Sequence, residues 1–267
     1  MSAEPFDYES ALWGSERLRP GERSIAGFRL EEAMRWLPAR GRVLEVGCGA
    51  GRFLRALRLA RPGLELVGCD VSRSALDRLA RSGAGVETRL AEVGAPLPAA
   101  DAEFQAVWAL DVLEHLERPD RLLAEAARVL GPGGVLHLHV PCEGDPLSPW
   151  RWLPGQGGLK RRFGGHLQRF RRREVLARLE RAGFAILRVR HSLHLVGAAA
   201  DVAAFGLLAL RARRGPPGTT GDLVAGREGG GVGAPLLRAL DALLWCEAKL
   251  LGQVPSWALH VSARKAV

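Results

Sequence analysis

The segment Glu45-Val46-Gly47-Cys48-Gly49-Ala50-Gly51 constrains this chain more than any other. It follows an apolar run, Arg42 to Val46, and leads into a helical pattern with Phe53, Leu54 and Leu57 on one side. Three glycines at alternate positions of such a junction let the backbone turn sharply and approach a ligand closely. A dinucleotide fingerprint requires glycine or alanine at position 52, where this chain has Arg52. Glu45, two residues before the first glycine, would repel a pyrophosphate and suits a ligand that carries an ammonium group. Asp70 closes the next apolar run, where a carboxylate accepts both hydroxyls of a ribose. Together these residues ask for a nucleoside with a cationic, amino-acid-like extension and no phosphates.

Periodicity supplies the fold class. Apolar runs at Leu64–Cys69, Val86–Leu90, Phe104–Leu110, Val135–Val140, Phe184–Val189 and Trp257–Ala263 predict strands after the first at 42–46. Helical patterns alternate with them at Ser24–Leu37, Gly51–Arg61, Ser72–Gly83, Pro119–Leu130 and Arg172–Ala182. Gly131-Pro132-Gly133-Gly134 is predicted to be a turn. This alternation means βαβ units: an α/β fold, Rossmann-like and doubly wound, with a mainly parallel seven-stranded sheet and helices on both faces. The chain divides into an N-terminal helical cap (1–39), a core (40–190), a helical insertion (191–256) with a Gly-rich loop (215–234), and the last strand of the core (257–267).

Four segments, in this order, resemble the class I S-adenosylmethionine-dependent methyltransferases. They are Val43–Gly51, Asp70, the run Phe104-Gln105-Ala106-Val107-Trp108-Ala109-Leu110-Asp111-Val112-Leu113-Glu114-His115-Leu116, and Arg128–Gly134. The Val-Leu-Glu-His-Leu stretch is similar to the small-molecule branch that includes ubiquinone-pathway O-methyltransferases. S-adenosyl-L-methionine meets the description of the ligand derived above and is the cofactor the resemblance implies. The resemblance places Glu45 near the methionyl ammonium, Gly47, Gly49 and Gly51 along the methionine, Asp70 on the ribose and Val71 on adenine. It places Glu92 or Val93 at the adenine edge and Leu110 by the methionyl group.

Methyl transfer to an alcohol or phenol asks the protein to align the acceptor and take its proton. His166, in Gly165-His166-Leu167-Gln168-Arg169-Phe170, is the first candidate for that base, and His115 the second. The ubiquinone-pathway enzymes are similar around His166, with a histidine shortly before a Phe and a helix. Glu114 and His115 alone do not make a metal site, and no metal is expected. His137 and His139 alternate on one strand face and read as core or rim histidines.

Composition bounds the partners. Net charge is +9, and all of that excess sits between Lys160 and Arg190, where eleven basic residues face only Glu174 and Glu180. The insertion beside it begins with an apolar, Ala-rich stretch, Leu193–Leu210, interrupted by Asp201. The expected function is methyl transfer to a small-molecule or lipid-like acceptor, most often at oxygen. The alternative is an RNA or protein methyltransferase that binds its acceptor through the arginine cluster. No aromatic-interleaved nucleic-acid motif accompanies that cluster, so nucleic acid is the less favoured partner. An anionic membrane surface is a candidate contact. Scattered cysteines, no secretory pattern and no uninterrupted apolar run of ~20 residues predict a cytoplasmic protein, peripheral to the membrane at most. No sequence feature specifies an oligomeric state.

Overall fold

The computed structural model describes residue 9 and residues 17–153, 157–213 and 234–266. Seven strands form one sheet: β1 (Gly41–Val46), β2 (Leu64–Asp70), β3 (Glu87–Leu90), β4 (Phe104–Leu110), β5 (Leu130–Pro141), β6 (Phe184–Ser192) and β7 (Ala258–Lys265). Their order is β3-β2-β1-β4-β5-β7-β6. All neighbours run parallel except β7, which is antiparallel to both β5 and β6. The chain steps outward from β1 to β2 and β3, then restarts on the other side at β4. In an open parallel sheet this reversal leaves a crevice beyond the strand ends, here between Val46 and Leu110.

Helices α1 (Ile25–Met34), α2 (Arg52–Ala60) and α3 (Arg73–Arg81) cover one face, burying Leu30, Phe53, Leu57, Leu79 and Trp108 together. Helices α4 (Pro119–Val129) and α7 (Arg172–Arg181) cover the other, against Leu136, Leu138 and Val261. Ser24 caps α1 by accepting from the Gly27 amide, and Ser72 caps α3 by accepting from Ala75. Two short helices, α5 (Pro149–Trp152) and α6 (Gly157–Gly164), pack with α8 (Leu195–Arg211) around Trp150, Phe163, Phe205, Leu208 and Trp257. Helix α9 (Ala234–Leu251) lies against α1 and β6.

The structure changes one local expectation. Gly131–Gly134 is not a turn before a strand; it lies inside β5. Leu130 pairs with Phe104 and Val135 with Ala106, so the Gly-Pro-Gly-Gly segment bulges between them, with Gly133 at φ +70°. Periodicity also left α5 and α6 unassigned. Both are too short to show a repeating apolar face. Within the predicted insertion, β6 continues to Ser192 before α8 starts, and most of the Gly-rich loop falls outside the described residues.

His137 and His139 are buried under α1, as their alternation predicts. His137 Nδ1 meets Ser262 Oγ at 2.8 Å and His139 Nδ1 meets Asp111 Oδ1 at 2.6 Å. The His260 ring of β7 lies tilted against His139, with ring centroids 4.5 Å apart. Burial pushes His137 down to about 3 and lowers His139 and His260 as well.

Candidate active site

The glycine turn is held by the strand beside it. Gly47 and Cys48 both donate their amides to the Cys69 carbonyl, at 2.8 and 3.1 Å. Gly47, Gly49 and Gly51 have φ of +69°, +53° and +77°, a region that L side chains rarely adopt. At Gly51 a Cβ would also stand 2.3 Å from Leu79 Cδ1, so the buried Leu79 side chain would have to move to admit one. Asp70 accepts from the Gly49 amide at 2.7 Å and the Ser72 amide at 2.9 Å. Each of its oxygens keeps further lone-pair capacity for a diol. Burial raises the Asp70 carboxyl, and those amides counter part of that rise.

Glu45 ends the same crevice from below. It is 2% exposed, and its Oε2 has no hydrogen-bond partner. Burial pushes its carboxyl up to about 8, with Asp70 adding to the rise and Arg52 opposing it. A buried carboxyl with one oxygen unpartnered, beside three glycines in left-handed backbone, has room and charge for a cation. These features fit S-adenosylmethionine: an ammonium for Glu45, a ribose for Asp70 and a glycine cradle between them. Val71 stands half-exposed next to Asp70, and Leu110 is buried at the facing strand end. Glu92 and Val93 stand on an exposed turn after β3. The residue pinned to Asp70 there is Ala91, whose amide donates to the Asp70 carbonyl at 2.9 Å.

Asp111 follows Leu110 at φ +57°, a strained backbone for a non-glycine residue. Arg29 of α1 reaches its Oδ2 at 2.5 Å, opposite the His139 contact on Oδ1. Burial works against its charge, but Arg29 and His139 outweigh it and hold the carboxyl well below its usual range.

The two predicted histidines come together. His115 lies on a 3-10 turn (Leu113–His115), His166 on the loop after α6, and their rings meet edge to face with centroids 5.0 Å apart. His166 Nδ1 contacts Glu143 Oε1 at 2.7 Å. An ionised Glu143 would accept from Nδ1, and in that tautomer Nε2 keeps its lone pair. Gly164 offers no side chain over that nitrogen, where a Cβ would sit 3.2 Å away. His115 Nδ1 faces the Gly165 carbonyl at 3.2 Å, and burial, aided by the neighbouring His166, pushes its ring down to about 4. Glu114 is fully buried, and neither carboxylate oxygen has a hydrogen-bond partner. Burial and the nearby Asp111 charge raise its carboxyl well above the usual range.

Glu114, His115 and His166 each offer a ligand atom, all within 4.8 Å of one another. The expectation of no metal site rested on two ligands adjacent in sequence; folding brings a third from fifty residues away. Glu143 has a signal in the sequence only as an acid after the fifth strand. Arg29 has none, because its role depends on how α1 crosses the strand ends.

The basic cluster of the sequence is dispersed in space. Lys160 pairs with Asp201, Arg172 with Asp145 and Arg178 with Asp120, while Arg188 and Arg190 reach Glu32 on α1.

A family model described as a methyltransferase domain matches residues 19–189. Among similar curated proteins, a 27-O-demethylrifamycin SV methyltransferase of Amycolatopsis mediterranei is 37% identical over 58% of this chain and 58% of its own length. A ubiquinone biosynthesis O-methyltransferase of Thiobacillus denitrificans is 34% identical over 38% of this chain and 47% of its own. The matches span 26% to 58% of the length of these and two further curated relatives. The solved structure of the [4+2]-cyclase SpnF shares the fold, with TM-score 0.59 and 23% identity over 98% of this chain and 88% of that one. The chain therefore belongs to the class I S-adenosylmethionine-dependent methyltransferase family.

Proposed function

We propose that this chain transfers the methyl group of S-adenosylmethionine to an oxygen of a small-molecule or lipid-like acceptor. The observation that carries this reading is the His166–Glu143 pair. It sits beyond the strand ends, in a chain whose glycine turn, Glu45 and Asp70 suit the cofactor. S-adenosylmethionine supplies the electrophilic methyl. Glu45 would hold its ammonium, Asp70 its ribose, and Val71 would pack on adenine, with Leu110 by the methionyl group. His166 would take the acceptor hydroxyl proton at Nε2, and Glu143 would stabilise the resulting imidazolium at Nδ1. The O-methyltransferase names of two relatives support oxygen as the target. Engagement of five of the eleven clustered basic residues in ion pairs counts against an RNA groove.

The test is incubation with methyl-labelled S-adenosylmethionine and fractionated cell extract. Label in the organic-soluble or small polar fraction is expected. Label confined to RNA or protein would overturn the reading.

A second reading is favoured by Glu114, a buried carboxyl group whose two oxygens have no hydrogen-bond partner beside two histidines. A divalent cation on Glu114, His115 and His166 would lower the pKa of a bound hydroxyl in place of a base. Under that reading EDTA abolishes turnover and added divalent metal restores it. Under the base reading, EDTA leaves turnover within about twofold of the untreated rate, too small a change to count as a lost catalytic group.

Membrane contact is the remaining part of the proposal. No helix among the described residues is long and apolar enough to cross a membrane. Trp152 is 69% exposed and joins two grooves: an apolar one on Pro149, Leu153 and α8, and a polar one with Arg151, Arg169 and Arg171. An exposed Trp between arginines and an apolar strip suits an anionic lipid surface. Co-sedimentation with phosphatidylglycerol vesicles is expected, with Trp152→Ala reducing it severalfold. Equal sedimentation of the variant would remove this surface from the account.

A further inference from the structure

We infer that Asp201, on α8, is a positioning residue for His166, acting through Lys160 and Glu143. The inference rests on the reading of His166 as the group that receives the acceptor proton. Asp201 lies outside residues 19–189, so the family domain does not supply it.

Lys160 is 4% exposed, an unusual place for an ammonium. Its Nζ sits among three aromatic rings, 4.8 Å from the Trp150 centroid, 4.0 Å from Phe205 and 5.4 Å from Trp257. Two carboxylates face it. Asp201 is close, with its oxygens at 2.9 and 3.1 Å. Glu143 Oε1 is 3.8 Å away, beyond hydrogen-bond distance. Trp150 fixes Asp201 further by donating its indole N–H to Oδ2 at 2.6 Å.

A buried ammonium must find a counter-charge. Asp201 fills that need, so Glu143 Oε1 remains committed to His166 Nδ1 at 2.7 Å. Without the Asp201 charge, Glu143 is the remaining carboxylate within 4 Å of Nζ among the described residues. The ammonium then competes for the oxygen that aligns the imidazole. The Nδ1 contact loosens, and Nε2 loses both its direction and the support of its conjugate acid. Misplacement of a catalytic group by about 1 Å costs on the order of 10²-fold in rate. A helix predicted only as an insertion therefore helps to set the geometry of the reacting centre.

The arrangement makes a test that a merely structural role would not pass. Asp201→Asn is expected to lower kcat by about 10- to 100-fold with KM for S-adenosylmethionine unchanged. Adding Lys160→Met removes the competing ammonium, and the double variant Lys160→Met/Asp201→Asn is expected to recover most of the lost kcat. A structural role predicts the opposite, because the double variant deletes both partners. Asp201→Glu keeps the charge and is expected to fall between wild type and Asp201→Asn, which serves if the asparagine variant does not fold. The His166 Nδ1 proton resonance gives a readout independent of turnover: it is expected downfield in wild type and in the double variant, and shifted upfield in Asp201→Asn. Wild-type kcat in Asp201→Asn, or a double variant no better than the single, would overturn the inference. If His166→Ala retains activity, the underlying reading of the base fails instead; if His166→Ala is inactive and Asp201→Asn is not impaired, only this inference fails.

Discussion

His166→Ala is expected to lower kcat by about 10²- to 10⁴-fold, the span of a general base, while the affinity for S-adenosylmethionine stays within twofold. The split follows from position. His166 contacts Glu143 and His115 on the loop after α6, whereas Glu45, Asp70 and the glycine turn lie on β1, β2 and the start of α2. His166→Gln is expected to be nearly as impaired, because an amide cannot accept the proton that Nε2 takes. Glu143→Gln is expected to fall less far, since the amide oxygen still accepts from Nδ1 but no longer stabilises the charged ring. Rapid-quench measurement of a single turnover, with cofactor affinity measured separately by calorimetry, checks both halves. A His166→Ala enzyme with unimpaired chemistry would move the base elsewhere, with His115 the next candidate.

Glu45→Gln is the second large effect, and its sign depends on pH. The Glu45 carboxyl is pushed up to about 8 by burial, against an ordinary value near 4.5. A carboxyl raised on folding contributes stability that is present below the unfolded value and is lost as pH rises through the folded one. Between about pH 4.5 and 8, the unliganded protein therefore loses stability through this group. Glutamine carries no charge to desolvate. The variant is expected to melt close to wild type at pH 5 and above it at pH 9. Cofactor binding is expected to show the reverse. An ammonium there would favour the ionised carboxylate, so binding is expected to expel a proton near neutral pH, and wild-type affinity to rise with pH up to about 8. Glu45→Gln is expected to bind about 10- to 150-fold more weakly, as loss of a charged hydrogen bond worth roughly 1.5–3 kcal/mol implies. It is also expected to lose the proton release. Calorimetry in two buffers of different ionisation enthalpy measures that release directly. A variant that binds as tightly as wild type would separate Glu45 from the ammonium.

The parts of this protein written in local sequence were legible in it. The glycine turn, Glu45 and Asp70 fall within one strand–turn–helix–strand stretch, and backbone conformation dictates the residue types there. The strands and the long helices follow from periodicity. What was not legible depends on elements that cross far from one another in sequence. Glu143 becomes the partner of His166 only because a loop after β5 packs on the loop after α6. Arg29 meets Asp111 only because α1 lies across the strand ends. Lys160 counted as one member of a basic cluster, yet folding buries it beside Asp201. Arg188 and Arg190, in the same run, end against Glu32 of α1 instead. Charge along a chain predicts a patch only when the residues share an element and a face.

The most direct measurement is calorimetric titration of the purified protein with S-adenosylmethionine, beside a Gly49→Arg variant. Gly49 sits at φ +53° and donates its amide to Asp70, so a long side chain there disrupts both the turn and the placement of the Asp70 carboxylate. One-to-one binding to the wild type and none to the variant is expected. Absence of binding to the wild type, or equal binding to the two proteins, would contradict it.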